Sequence, residues 1–512
     1  MPVLRNKGGE KMKKKWLCVL GLVVCLTMLL TISASASPLT EPVYNSYTYN
    51  YWGDEVMAPD SYVPVTSVRV ENAGTDLVST DVPLNEPTDL FVSPSNHIYI
   101  VDAKNNRILV FNEEYKLEQI ITEFKSGSDV LTMAQPNGIF VDEDENMYIA
   151  DYNNHRTIKA NKDLEIVTEY LQPTTDVEYS GIDFLPLHVV VDARNFVYVH
   201  CQGLYQGAVT YDKDGKFIGY FAGNAVTAGV TEALKMFWRN FMTEEQIAKM
   251  EKSIPAEFSN IDINKNGFIF TCTAGSSSNN VVKFDPTGED IMKDNMLITE
   301  SLSTRYGDTR QRYYMSVMIK TEIIDVCYDE EGYINCLDRT QGRVFQYSDT
   351  TGDLICIFGG KGNQTGTLRA AAAIDTMGDK ILVLDSNKNH FVVYEPTPYV
   401  NAVKNAMNLY ADGQFEESLA SWKEVIKQNG NLQLAYSGMG SCYYVMGDYE
   451  QALKYYKMGD DRNGYIKAME HTRKDAIDAA VPYIIYGGVG LFVVVKGFKL
   501  FKKLKAKKNK QA

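Results

Sequence analysis

The chain has 512 residues, an ordinary hydrophobic content of 45% and 33 tyrosines. That length exceeds one ordinary core and requires two or more domains. The formal net charge is −14 with lysines crowded at both ends, so the middle is more acidic still; a surface of that sign excludes nucleic acid as a partner.

At the N-terminus, Lys11-Met12-Lys13-Lys14-Lys15 precedes an apolar run over residues 16–32 and then Ala34-Ser35-Ala36. A basic segment, a short apolar segment and an A-x-A site predict a secretory signal peptide over residues 1–36, cleaved after Ala36. An uncleaved anchor is the alternative, but the apolar run is short for a span. Cys25 is not a lipoprotein site, because Val24 stands where a small residue is needed. Residues 37–61 carry Tyr44, Tyr47, Tyr49, Tyr51 and Trp52 and are expected as an exposed leader.

Residues 62–72, YVPVTSVRVEN, read as one strand without a hairpin partner. Residues 84–124 then hold three β-type runs separated by Ser93-Pro94-Ser95-Asn96 and Lys104-Asn105-Asn106. That is the pattern of an antiparallel meander. It recurs in windows opening at Asp89, Gly138, His188, Asn260, Asp325 and Ala371, with turns at Ser93, Asp142, Asp192, Asn264, Asp329 and Asp375. The spacing fits propeller blades, with insertions in the long gaps. Asp102 and Arg107, Asp151 and Arg156, and Asp338 and Arg343 form D-x4-R pairs, which can fix a hairpin across its turn.

The segments PTDLFVSPSNHIYIVDAKNNRILVF and PNGIFVDEDENMYIADYNNHRTI resemble NHL repeats. The resemblance implies a mainly β fold, a six-bladed propeller over residues 62–399. The lone strand would complete the last blade, leaving no open sheet edge. Two insertions interrupt the ring. Residues 226–254 carry a capping box, Thr243-Glu244-Glu245-Gln246, that predicts a short helix. Residues 291–320 are expected as an irregular link.

No P-loop, nucleophile elbow, H-E-x-x-H or C-x-x-C motif is present. Asp262-Ile263-Asn264-Lys265-Asn266-Gly267 begins like a calcium loop, but Thr273 replaces the twelfth-position glutamate, so it reads as a hairpin turn. Cys201, Cys272, Cys327, Cys336, Cys356 and Cys442 read as buried small hydrophobes, with a Cys327–Cys336 disulfide left open. By the resemblance, the residue opening each window stands at the mouth of the central channel. Asp89, His188, Asn260 and Asp325 are therefore the candidate ligand-binding and metal set, for Ca²⁺ or another divalent cation, or for a sugar. Propeller lactonases and amidating lyases place metals in this region. The resemblance thus carries a metal-dependent lactonase- or lyase-like enzyme as the alternative to a binding protein. Solvated channel residues are the plainer reading.

After Pro396 and Pro398 the period changes. Ala402, Ala406, Gly413, Phe415 and Trp422 match Tyr436, Gly440, Gly447, Tyr449 and Tyr456 at a 34-residue offset. Residues 400–478 thus resemble tetratricopeptide repeats, with small residues where helices touch. They are either a rigid stalk or a partner groove, with Trp422, Tyr436 and Tyr443 as groove candidates. Residues 479–495 lack charge and precede Lys496, Lys499, Lys502, Lys503, Lys505, Lys507, Lys508 and Lys510. A single transmembrane helix with a basic cytoplasmic tail over residues 496–512 is expected; an amphipathic helix on the membrane surface is the alternative. The whole reads as a single-pass cell-membrane protein, mostly extracytoplasmic, binding a protein or carbohydrate. Exported NHL propellers with a C-terminal anchor resemble accessory components of bacterial sugar-uptake systems.

Overall fold

The computed structural model describes residues 44, 46–70, 82–173, 183–204, 206–222, 257–275, 280–292, 306–308, 312–314 and 317–508. The signal-peptide segment, the helix expected within residues 226–254 and Lys510 lie outside them.

Six antiparallel sheets form the body. Their innermost strands are Pro87–Val92, Pro136–Val141, Pro186–Val191, Asn260–Ile263, Ile323–Tyr328 and Ala371–Met377. These number blades 1 to 6. The second strands, such as Ile98–Asp102, Met147–Asp151 and Val197–Cys201, are buried along their whole length. Blades stacked face to face leave neither side of such a strand in water, which is why these runs are apolar without alternation. A separate apolar cluster fills each gap between neighbours. Tyr99, Val101 and Ile108 of blade 1 meet Ile139, Val141 and Ile149 of blade 2. Leu90, Ile98 and Ile100 of blade 1 meet Leu382, Leu384 and Phe391 of blade 6.

The front of the chain closes the ring. Tyr62–Val68 pairs with His390–Pro396, with Val68 opposite Phe391 and Tyr62 opposite Pro396. Gly366 backs this seam: its φ is +79° and a Cβ there would lie 2.2 Å from Pro64 Cγ. The hairpins are pinned by their carboxylates. Arg107 Nε donates to Asp102 at 2.6 Å, Arg156 Nε to Asp151 at 2.9 Å and Arg343 Nη2 to Asp338 at 2.6 Å. The same aspartates accept the backbone N–H of Asn85, Ala134 and Glu322, tying the turn to the entry of the innermost strand.

Three details differ from the sequence expectation. First, the supposed leader is built into the ring. Tyr47–Tyr49 and Glu55–Met57 form a hairpin whose Tyr47 sits opposite Ile357, extending blade 5 to six strands. Tyr47 Oη accepts from Arg343 Nη1 at 2.5 Å, and Tyr49 Oη donates to Asp308 at 2.5 Å. Second, the 291–320 link contains a short hairpin, Arg312–Tyr314 with Val317–Ile319. Third, the blade 6 window opens at Ala373, not Ala371. Ala373 pairs with Leu384 as His188 pairs with His200. Met377 pairs directly with Lys380 across Gly378-Asp379, so this hairpin is one residue tighter and the sequence alignment slips. Asp375 is therefore a strand residue, not a turn residue.

Five α-helices follow among the described residues: α1 (Pro398–Ala411), α2 (Phe415–Gln428), α3 (Gln433–Val445), α4 (Tyr449–Met458) and α5 (Arg462–Lys508). Pro398 opens α1, where its missing N–H costs nothing. The cluster holding Trp422, Val425, Ala435 and Met439 of α2 and α3 continues through Tyr399 and Val403 of α1 into Phe358 and Tyr394 of blades 5 and 6. Lys404 of α1 is 4% exposed, with Nζ 2.8 Å from Glu331 and 3.7 Å from Asp329 of blade 5. The helices are thus fused to the propeller by a common core. α5 runs for 47 residues, and beyond residue 476 its apolar side chains are bare: Tyr483 is 80% exposed and Ile484 70%. It is the one described helix long and apolar enough to cross a membrane.

Candidate functional site

The innermost strand of each blade has one edge facing the channel, and its N–H and C=O groups need partners. Side chains of the preceding blade supply them. Asp89 of blade 1 accepts Ile139 N–H of blade 2 at 2.8 Å and Leu90 N–H of its own strand at 2.9 Å. Asn137 of blade 2 donates to Leu187 O of blade 3 at 3.2 Å. Gly138 lets these strands approach: a Cβ there would lie 2.4 Å from the same oxygen. His188 of blade 3 is hydrogen-bonded to the Ser259 backbone ahead of blade 4. Asn260 and Asp262 of blade 4 reach blade 5, the first donating to Asp325 and the second accepting Tyr328 N–H at 3.0 Å. Asp325 of blade 5 accepts Ile374 N–H of blade 6 at 2.7 Å and Val326 N–H at 2.7 Å. Asp375 of blade 6 accepts Val92 N–H of blade 1 at 2.6 Å. The clasps go round the ring once without a gap.

Crowding these carboxylates on a dry axis raises their proton affinity. Burial pushes Asp89 up to about 6, against the pull of its two N–H donors. Burial likewise lifts Asp262 to about 7. Asp325 and Asp375 are raised as well, by burial first and then by the neighbouring carboxylates. Burial holds His188 down at about 4, so it is neutral at physiological pH, stacked on His200 with ring centres 5.9 Å apart. The cavity enclosed by this ring is about 40 Å³, room for roughly three waters.

The donor set does not fit the expected cation. The carboxylates of Asp89 and Asp325 are turned onto backbone N–H groups, and the Asn260 amide oxygen is taken by Ile261 N–H at 2.6 Å. Among the described residues no three His, Cys, Asp or Glu are grouped so as to hold a metal ion. Asp262 and Asn264 form no calcium loop either: Asn264 Oδ1 accepts Asn266 N–H and Phe268 N–H, both at 3.0 Å, as a hairpin turn requires.

A second cavity is far larger. A cleft of about 620 Å³ runs between blade 5, the front hairpin and helices α1, α2 and α3. Blade 5 contributes Glu331, Tyr333, Thr350, Thr351 and Asp353; the front hairpin contributes Tyr49 and Tyr51. The helices contribute Met407, Tyr410, Trp422, Leu434 and Gly438, and the α4–α5 turn contributes Asp460 and Asp461. Tyr51 N–H donates to Gln433 Oε1 at 2.5 Å and Gln433 Nε2 to Asp460 at 2.5 Å, strapping one end. Its size and mixed lining, at a seam between two folded parts, are those of a ligand site.

The NHL repeat family matches residues 84–111, the first three strands of blade 1. No curated protein matches the sequence. Among solved structures, a catalytically inactive virginiamycin B lyase from Staphylococcus aureus with quinupristin is 10% identical, over 70% of this chain and 98% of that one, with a TM-score of 0.39. A streptogramin B lyase is 11% identical over 70% and 96%, at 0.38. The extracellular domain of a one-component system from B. thetaiotaomicron is 11% identical over 70% and 41%, at 0.35.

Of the residues singled out from sequence, Asp89, His188, Asn260 and Asp325 do line one cavity, but as clasps between blades. Asp262 and Asp375 complete the ring and were missed. Each lies two residues past the opening position of its window, and period-2 alternation puts such residues on the same face. The groove candidates are not brought together. Trp422 lines the large cleft. Tyr436 instead donates to Gly430 O at 3.0 Å, and Tyr443 stacks on Tyr455. The six cysteines are buried, and Cys327 and Cys336 are not joined in a disulfide.

Proposed function

We propose that this chain is a membrane-anchored extracytoplasmic binding protein that takes a protein or carbohydrate ligand in the cleft between its propeller and its tetratricopeptide-like helices. One observation carries the reading: the roomy cavity is the cleft, whereas the channel is narrow and its polar groups are used between blades. The bare apolar stretch of α5, followed by lysines, supports an anchor with its basic end in the cytoplasm. The resemblance to sugar-uptake accessories supports carbohydrate as one ligand class. The test is binding of full-length protein, in detergent micelles, to glycan and peptide arrays, with Thr350→Trp as a cleft-filling variant. Thr350 is exposed on a turn, so the substitution should not disturb folding. Binding lost in Thr350→Trp supports the reading. Binding untouched by it, or no binding at all, overturns it.

A further inference from the structure

The large cleft is unevenly charged. Its lining carries Glu331, Asp353, Asp460 and Asp461 against Arg462 alone. Two of these acids are already occupied, Glu331 by Lys404 at 2.8 Å and Asp460 by Gln433. The other two are not ion-paired. Asp353 stands on the blade 5 turn and Asp461 on the α4–α5 turn, so they approach from opposite walls. The Asp461 charge is close enough to add to the burial that raises the Asp353 carboxyl. Asp461 Oδ1 also accepts Gly464 N–H at 2.8 Å as the cap of α5, which fixes its position.

A separate feature of the same wall lacks its partner. Trp422 is 2% exposed, and its indole N–H has no acceptor. The N–H edge lies against Gly438, another lining residue, where a Cβ would come within 2.5 Å of Nε1. That packing closes the N–H off, so Trp422 offers the cleft a ring surface and not a hydrogen-bond donor. Between the acids and this ring the walls are aromatic and aliphatic, with Tyr51, Tyr333, Tyr410, Met407 and Leu434.

We infer that the cleft seats an extended peptide segment bearing a lysine or arginine, its cationic head between Asp353 and Asp461 and its apolar stem on the tyrosines. The inference rests on the proposed binding role of this cleft and narrows its ligand to a basic peptide. Aromatic faces favour such a stem and head together, and acids on both walls disfavour acidic segments.

The test is selection of random heptapeptides on immobilised full-length protein in detergent, followed by affinities for wild type and the Asp353→Asn/Asp461→Asn double variant. Both substitutions keep the hydrogen-bonding shape, and asparagine caps a helix as well as aspartate, so folding is preserved and thermal melting checks it. The expected result is enrichment of lysine and arginine among selected peptides, with at least a roughly tenfold affinity loss in the double variant. Selected peptides without basic enrichment, or binding equally to the variant, overturn the cation inference while leaving a binding protein. Binding of free alkylamines as tight as that of the peptides overturns the peptide assignment. Peptides and glycans both failing to bind overturn the binding role itself.

Discussion

The channel and the cleft are both lined by acids and aromatic rings, yet they use them in opposite ways. In the channel the acids come from two neighbouring positions of the innermost strands, and each carboxylate accepts one N–H from the next blade. In the cleft Asp353 and Asp461 come from two unrelated turns, and neither is ion-paired. Symmetric repetition therefore makes a buckle, and the break in symmetry makes a place for a ligand. A polar ring on a propeller axis is weak grounds for a site until its hydrogen bonds have been assigned.

If this contrast is right, substitutions around the ring should cost stability and spare binding. The largest effect is expected at Arg343, which is buried between Asp338 and Asp308, the latter 2.9 Å away. Arg343→Leu leaves two buried carboxylates without a counter-charge and removes the Arg343 hydrogen bond to Tyr47 of the front hairpin. A loss of about 3–5 kcal/mol is expected, read by denaturant unfolding. Next is Asp325→Ala, which strands the N–H groups of Val326 and Ile374 and the Asn260 amide. At about 1–3 kcal/mol per orphaned donor, softened by water entering the small cavity, a loss of about 2–4 kcal/mol follows. An unchanged midpoint in either variant would break the buckle interpretation.

A pH profile tests the same ring more gently. The Asp89 carboxyl is raised from its ordinary 3.8 to about 6 in the folded chain. The folded state thus holds a proton that the unfolded chain releases, and this contribution favours folding at low pH. It is lost as pH climbs from about 4 to about 6. Relative to Asp89→Asn, wild-type stability should fall across that window by up to about 3 kcal/mol. His188 works in the opposite sense, since its depressed value favours folding as pH rises toward 6.5. Only the difference between wild type and variant isolates the carboxylate; a flat difference would mean that Asp89 is not dry.

The blades were legible because each carries its own local punctuation. Asp102 and Arg107 are five residues apart and interact within one hairpin, so neighbouring letters announce the contact. Strand 62–68 was legible by elimination, a strand with no neighbour and a last blade with a vacancy. Blade 6 was misaligned because the turn at Gly378-Asp379 is tighter, and counting along sequence cannot register a turn's length. The cleft was not legible at all. Its walls come from the front hairpin, blade 5, α1, α2, α3 and the α4–α5 turn, and Tyr51 and Gln433 meet only once the ring is closed. Trp422 stands out in the sequence as an aromatic at an aligned repeat position, but its place at the cleft wall depends on packing against Gly438, which no local pattern reports.

The smallest effect on stability, and the sharpest contrast with the ring, is expected at Gln433. Its side chain is half-buried and joins the front hairpin, through Tyr51 N–H, to the α4–α5 turn, through Asp460. Gln433→Leu removes both bonds but leaves the freed groups within reach of water, so it should cost no more than about 1 kcal/mol. The hairpin stays paired to blade 5 through Tyr47 and Ile357, so the fold is kept and only the strap over the cleft opens. A captured ligand should then leave faster, while its association is little changed, because opening an end removes contacts made after encounter. Stopped-flow release of a bound peptide measures this directly. Faster release with an unshifted melting point would place the cleft outside the cooperative framework of the ring. A large melting shift would make strap and ring one structural unit.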